Sequence, residues 1–501
     1  MKPLTATQAL EHFDVLIIGA GLSGIGAGVH LQKRCPDRTY AILEGRDSIG
    51  GTWDLFRYPG IRSDSDMYTL GYSFKPWEEA KAIADGPSIL KYVKDTASEY
   101  GIDHKIRYGH QVKRAAWSSQ DACWTVEAEQ GEQSNAVRLT CSFLFVCGGY
   151  YSYAKGYTPE FPGRERFKGR VVHPQNWTED IHYEDKRVVV IGSGATAVTL
   201  VPEMAKKAAH VTMLQRSPTY VVARPSEDKQ ANWLRRHLPA MLAYGISRWK
   251  RVLLQMYFFN LCRRNPAHAK KLIRGGVRAY LGADYDVDRH FSPRYNPWEQ
   301  RLCLVPDADL FIAIRKKKAS VVTDQIESFT ERGIKLKSGV ELEADLIVTA
   351  TGLNLEVLSG LVITVDGAAI DPAKTFNYKG LMYSGVPNLA SSFGYTNASW
   401  TLKCDLTCEY VCRLLNYMKR HGYAQCTPRL TDASVKEEPW IDFSSGYVQR
   451  SLDKFPKQGS KAPWKLRQNY ARDIMTLRFG RIDDGTLEFS TPPAAPAAKR
   501  A

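Results

Sequence analysis

Two glycine-punctuated turns, each placed between an apolar strand-like run and a small-residue helix, constrain this chain more than any other feature. FDVLII at 13–18 runs into GAGLSG, and a small-residue helix follows from Ser23 to about Arg34 before TYAIL at 39–43. RVVVI at 187–191 runs into GSGATA, a helix follows to about Lys207, and HVTMLQ occupies 210–215. Each is a strand–turn–helix–strand unit, and a short apolar run closed by glycine reads as a buried parallel strand. In the first turn Gly19 permits the tight bend, Gly21 lets a pyrophosphate approach the backbone, and Gly24 lets helix and strand pack closely. The helix N-terminus then faces the phosphates. Two such units about 170 residues apart predict two dinucleotide-binding folds rather than a solenoid.

The residue at the end of the second strand separates the two cofactors. Glu44 closes the first unit, and a carboxylate there holds ribose hydroxyls. The second turn carries Gly192, Gly194 and Ala197, and its strand ends in Arg216–Ser217. A carboxylate would repel a 2′-phosphate, whereas a guanidinium binds it bidentately. The first site therefore suits FAD and the second NADPH.

FLFVCGG at 143–149 and DLIVTATG at 345–352 also read as strands ending in glycine. The predicted fold is α/β, with two Rossmann-like domains and a helical insertion. The first part of the FAD domain is placed at 1–150 and the first part of the NADP domain at 151–219. The insertion is placed at 220–300, the second part of the NADP domain at 301–385 and the C-terminal part of the FAD domain at 386–485. The Pro/Ala-rich end, 486–501, reads as a disordered tail.

Disulfide reductases also bind FAD and NADPH, but they need a redox dithiol. The ten cysteines show no CxxC pair. Cys404, Cys408 and Cys412 fall on one helix face, a spacing read as small core residues. No cysteine or histidine spacing suggests a metal. An apolar run of signal-peptide type is missing from the first residues, and no stretch reaches membrane-spanning length, so a cytoplasmic location is expected.

The net charge of +15 is concentrated. Between Trp233 and Ala283 stand eleven Lys and Arg residues and no Asp or Glu. A helical segment with a solvated basic face and an apolar underside is the first reading, and peripheral membrane contact through residues 233–283 the second. No nucleic-acid partner is expected.

Two longer motifs carry a resemblance. Phe167 to Trp177, FKGRVVHPQNW, matches the fingerprint FxGxxxHxxxW, and Gly50 to Asp64, GGTWDLFRYPGIRSD, matches GGxWxxxxYPGxxxD. Together with the two turns in order, they make the chain resemble the type I Baeyer–Villiger monooxygenases over about residues 13 to 480. RYPGIRSDSDMYTLG, YNPWEQRLCLVP and GYTNASW are similar to the ethionamide monooxygenase subgroup. One departure is Thr178 after the fingerprint, where Pro or Asp is usual. Another is Gln300, where many relatives carry lysine before the active-site arginine, which shifts the 2′-phosphate contact onto Arg216.

The resemblance implies an FAD- and NADPH-dependent enzyme that uses O2 to convert ketones to esters or lactones through a peroxyflavin, and that also oxidises sulfides and thioamides. The alternative is a flavin monooxygenase that oxidises only S or N atoms. Arg301 matches the active-site arginine and Asp64 the acid beside the flavin, which would pair with it. Ser23 and Glu44 would lie along the nucleotide half of FAD, and Thr52, Trp53 and Asp54 along the flavin. Ser193, Thr196, Arg216 and Ser217 would face NADP. Phe167, Gly169, His173 and Trp177 would couple the motion of the domains.

Overall fold

The structure, a computed structural model, describes residues 10–131, 134–441 and 443–491. Its organising feature is a pair of sheets, each with parallel strands at its centre. In the first, His12–Ile18 lies between Tyr40–Leu43 and the second half of Asn135–Val146, parallel to both. Leu389–Ser391 adds a further parallel strand on Asn135–Val146. The helix Leu22–Arg34 covers this sheet and packs on the long helix Trp400–His421. The apolar runs account for the arrangement: Val15, Leu16, Ile17 and their neighbours are buried on both faces, as central parallel strands require.

The second sheet is wholly parallel, in the order Ala319–Thr323, His210–Gln215, Arg187–Ile191, Leu346–Thr349, Arg170–Val172. Val188, Val190, Val211, Met213 and Val348 form the centre of its core with Val198 and Val201 of the helix Ala195–Met204.

Three expected boundaries shift. The alternating segment His110–Ser118 forms an antiparallel meander with Cys123–Gln130 and Asn135–Val146, and Val362–Val365 pairs with its outer strand. The chain has therefore rejoined the first sheet by residue 362, not at 386. Residues 220–300 open on a strand, Val221–Arg224, paired in parallel with Cys303–Pro306, so the helical part begins at Lys229–His237. The segment placed in the tail includes Leu487–Ser490, which pairs with Gln425–Pro428; residues 492–501 lie outside the described residues.

The insertion is also not confined to the second dinucleotide unit. Ala231, Tyr244 and Val252 join the core of the first unit, and Val277, Val287 and Phe291 join that of the second. A buried ion network anchors it. Arg248 of the helix Ala240–Arg264 reaches Asp405 at 3.4 Å and donates to the carbonyls of Tyr68 and Gly71 at 2.9 and 2.8 Å. His30 approaches the same carboxylate at 3.3 Å.

Candidate active site at the junction of two dinucleotide folds

The first glycine turn is built to admit a phosphate. Gly19 has φ +98°, and a Cβ there would meet the backbone of Gly148 at 2.8 Å. At Gly24 a Cβ would sit 1.8 Å from the Gly19 carbonyl oxygen, so only glycine lets the helix start so close to the strand. Gly21 packs close to Gly51, where a Cβ would meet the Gly51 backbone at 3.7 Å, and no side chain caps the Leu22–Arg34 helix, so its first N–H groups are left for a ligand. Buried Glu44 accepts from the backbone N–H groups of Ala20 at 2.7 Å and Arg46 at 3.0 Å. Burial pushes its carboxyl upward against those two hydrogen bonds. These features fit an adenine dinucleotide with a diphosphate at the helix end.

Ser23 follows at the second position of the Leu22–Arg34 helix. Its hydroxyl accepts from Trp400 Nε1 at 2.9 Å and lies 3.3 Å from Cys404 Sγ, so the side chain locks two helices together. Its O–H and its backbone N–H can still donate to a phosphate. Gly50 and Gly51, at φ +120° and +56°, turn the chain into the short helix Thr52–Leu55. Thr52 hydrogen-bonds Tyr153, whose hydroxyl burial pushes up to about 12. Trp53 rests half-buried on the first core. Asp54 binds Ser48 at 2.5 Å and Arg46 at 2.7 Å, with Arg57 at 3.5 Å. Its carboxylate braces the turn.

The second turn repeats the logic with one difference. Gly192 has φ +138°, and a Cβ would lie 2.3 Å from the Ala350 carbonyl oxygen. Around Gly194 nothing lies within 4 Å, and Ala197 is fully buried. Ser193 donates to the Ser217 carbonyl at 3.1 Å and lies 2.9 Å from the Thr219 hydroxyl. Thr196 hydrogen-bonds Tyr58. Arg216 and Ser217 are exposed at the end of the strand His210–Gln215. Arg216 forms no ion pair among the described residues, so its guanidinium is available to an anion.

The motif that follows Gly50 joins the two units. Phe56 and Tyr58 are buried in the core of the second unit. Gly60 lies on the helix Ala195–Met204, where a Cβ would meet Glu203 at 2.8 Å. Arg62 pairs with Asp309 at 2.5 Å. Four residues past Gly60, Asp64 meets Arg301 in a two-point ion pair, Nε–Oδ2 at 2.8 Å and Nη2–Oδ1 at 3.1 Å. The two are 237 positions apart in sequence. Asp64 holds the Arg301 proton more firmly than usual, against the opposing effect of burial, and the neutral hydroxyls of Tyr150, Tyr151 and Tyr447 are its other polar neighbours. Burial pushes the adjacent Cys303 thiol up to about 12.

Sequence reasoning missed the aromatic wall beside this pair. Tyr150 stacks on Trp400 at 5.0 Å and contacts Phe393 at 5.1 Å, which in turn meets Trp440 at 4.5 Å. Tyr150 and Tyr151 share a 2.7 Å hydrogen bond. The run GGYYSY directly after the strand at 143–146 was the available signal. Cys35 was missed as well, because it meets Cys412 across the Leu22–Arg34 and Trp400–His421 helices only in three dimensions. All ten cysteines are free, and burial raises the Cys404 and Cys408 thiols, in keeping with their reading as core residues.

The fingerprint around residue 173 follows the edge strand Arg170–Val172 of the second sheet. His173 donates from Nε2 to the Gly352 carbonyl at 3.1 Å and accepts at Nδ1 from the Gln175 N–H at 3.1 Å. Its ring lies on Gly156, where a Cβ would meet it at 1.9 Å. Burial lowers the imidazole's proton affinity, so it is held neutral. Phe167 packs edge-on against Phe329, Gly169 fits under the Asp345 carbonyl, and Trp177 meets Tyr183 at 6.1 Å.

Two parallel-sheet units, each with a phosphate-admitting turn, and a paired arginine between them define a two-dinucleotide oxidoreductase. Residues 13–235 match the family model described as flavin-binding monooxygenase-like. The chain is 56% identical over 485 residues to the FAD-containing monooxygenase EthA of Mycobacterium tuberculosis, covering 97% of this chain and 99% of EthA. It is 51% identical to the putative FAD-containing monooxygenase MymA of the same organism, covering 96% and 98%. Among solved structures, a steroid monooxygenase bound to NADP aligns with a TM-score of 0.74 at 21% identity, covering 96% of this chain and all of the other. Cyclohexanone monooxygenase bound to ε-caprolactone aligns with a TM-score of 0.74 at 20% identity and covers 96% of this chain and all of its own. These structures confirm the two-domain fold. The chain belongs to the family of FAD-containing flavin monooxygenases.

Proposed function

We propose that the protein is a Baeyer–Villiger monooxygenase that holds FAD at its first turn and NADPH at its second. In the overall reaction a ketone, O2, NADPH and a proton give an ester or lactone, water and NADP+. Sulfides and thioamides would be oxidised at the same centre. Gly21, Gly51, the Leu22–Arg34 N-terminus and Glu44 would hold FAD; Gly194, the Ala195–Met204 N-terminus, Arg216 and Ser217 would hold NADPH. Bound flavin, once reduced, supplies the activation of O2.

The observation that carries this reading is the two-point Asp64–Arg301 pair fixed where the two dinucleotide units meet. A guanidinium remains protonated at any working pH, so Arg301 can neutralise negative charge that develops on oxygen during insertion. Asp64 fixes the orientation of its planar fork. Tyr150, Tyr151 and Tyr447 flank the charge, and the pair stays about one-third open to solvent. Gln300 leaves Arg216 as the main 2′-phosphate contact, so discrimination against NADH is about ten- to hundredfold, what one or two charge-assisted hydrogen bonds supply.

The test is product analysis of the flavin-loaded protein against linear, cyclic and aryl ketones and a sulfide. Esters or lactones support the reading. Sulfoxide without any ester from the ketone panel would assign the protein to the S- and N-oxidising alternative.

A further inference from the structure

We propose that the helical insertion is a membrane-surface module that seats the enzyme on an anionic bilayer. The helix Ala240–Arg264 is inverted relative to an ordinary surface helix. Its inward face carries Tyr244, Ser247 and Arg248, with Arg248 tied to Asp405 and to two backbone carbonyls. Its outward face is apolar. Leu242, Ile246, Trp249, Leu253 and Tyr257 fall at steps of four, three, four and four, one continuous stripe at helical spacing, and they are 43–69% exposed. At about 1.5 Å per residue the stripe is some 22 Å long. Among the described residues, ten of the seventeen exposed large apolar side chains lie between 233 and 280. That concentration exceeds the scatter of single apolar residues that any surface shows.

The structure also revises the charge. Of the eleven cations, five are tied to carboxylates: Arg248 to Asp405, Lys250 and Arg251 to Asp228, and Arg274 and Arg278 to Asp288. Arg264 has no carboxylate partner among the described residues and stands two turns beyond Tyr257 on the same face. Lys271 is likewise unpaired and adjoins exposed Leu272. No Asp or Glu occurs from 233 to 283, so the segment that carries the stripe adds only positive charge of its own, part of which Asp228 and Asp288 offset from outside. Such a face complements anionic headgroups above an acyl boundary. A second copy fits it poorly, because a two-fold contact would set cation against cation. Among the described residues no helix is long and apolar enough to cross a membrane, so the proposed module would lie on the surface.

The experiment is co-sedimentation of the flavin-loaded protein with phosphatidylcholine vesicles, with and without about one-third phosphatidylglycerol. Binding should be strong only with the anionic lipid, fall as salt is raised, and shift the tryptophan emission to the blue. Ile246→Glu with Leu253→Glu should weaken partitioning by about tenfold or more per site. Arg264→Glu with Lys271→Glu should weaken it by about fivefold or more per site. All four side chains are at the surface, so thermal midpoints should not move, and oxygenation of a water-soluble ketone gives the same rate in every variant. No binding, equal binding to neutral vesicles, or binding unchanged by both double variants would overturn the proposal. So would a dimer in solution that Ile246→Glu with Leu253→Glu dissociates, since a second copy would then cover the stripe.

Discussion

Replacing Arg301 with alanine should uncouple the two halves of the reaction. The perturbation removes a cation fixed at 2.8 and 3.1 Å from Asp64 and leaves a carboxylate that is itself 28% exposed, so water can solvate it and the fold should survive. Hydride delivery relies on the two dinucleotide turns, which Arg301 does not build, so anaerobic flavin reduction by NADPH should change by less than about tenfold. Oxygen insertion loses its preorganised positive charge. One such donor is typically worth about a hundred- to a thousandfold, or some 2.7–4 kcal/mol. The assay follows NADPH absorbance, hydrogen peroxide and ester in one reaction. NADPH consumption should continue, peroxide should account for it, and ester should fall by at least a hundredfold. Arg301→Lys should recover little, because a compact ammonium cannot reproduce the fork that meets both Asp64 oxygens. Near-native ester formation by Arg301→Ala would refute the assignment. Equal loss of flavin reduction and ester would place Arg301 in NADPH binding instead.

Three further outcomes follow from the geometry. Arg216→Ala should raise the KM for NADPH about ten- to a hundredfold and leave that for NADH nearly unchanged, as measured by initial rates with each cofactor; equal effects would show that exposed Arg216 does not read the 2′-phosphate. Arg248→Ala should destabilise the protein by about 3–5 kcal/mol in denaturant unfolding, since it strands Asp405, 3% exposed, with only His30 and the Ser73 N–H. His173 is held neutral by burial, so the unfolded chain takes up its proton at higher pH than the folded one. Its contribution to stability is then complete above about pH 6.5 and is lost as pH falls below that value, and His173→Gln should flatten that part of the Tm profile.

The sequence revealed those elements whose physics is local. The strands at 12–18, 40–43, 187–191 and 210–215 are apolar runs ended by a turn, each within a residue of its expected place, and the run expected over 345–352 forms its strand at 346–349. Glycines whose missing Cβ decides a contact, Gly19, Gly24 and Gly192, were equally legible. What the sequence hid is long-range pairing. Nothing local to Val362–Val365 shows that it returns to the first sheet beside His110–Ser118. The meander has the period of an exposed antiparallel hairpin wherever it docks. The place of Ser23 in the turn was legible, but not that its hydroxyl oxygen also accepts from Trp400, 377 residues away. The insertion misled for the same reason. Its charges and apolar residues were counted correctly, but which side faced inward depended on Asp405, far along the chain, and on Asp228, which caps the helix Lys229–His237 ahead of the basic run.

The most direct test of the account is oxygenation under 18O2 by the purified protein with FAD bound and NADPH supplied. A ketone that the enzyme accepts should give ester or lactone carrying one labelled oxygen atom, one product for each NADPH oxidised, with NADPH used in preference to NADH. Product labelled from water, or NADPH oxidised only to peroxide with every ketone and sulfide tried, would contradict it.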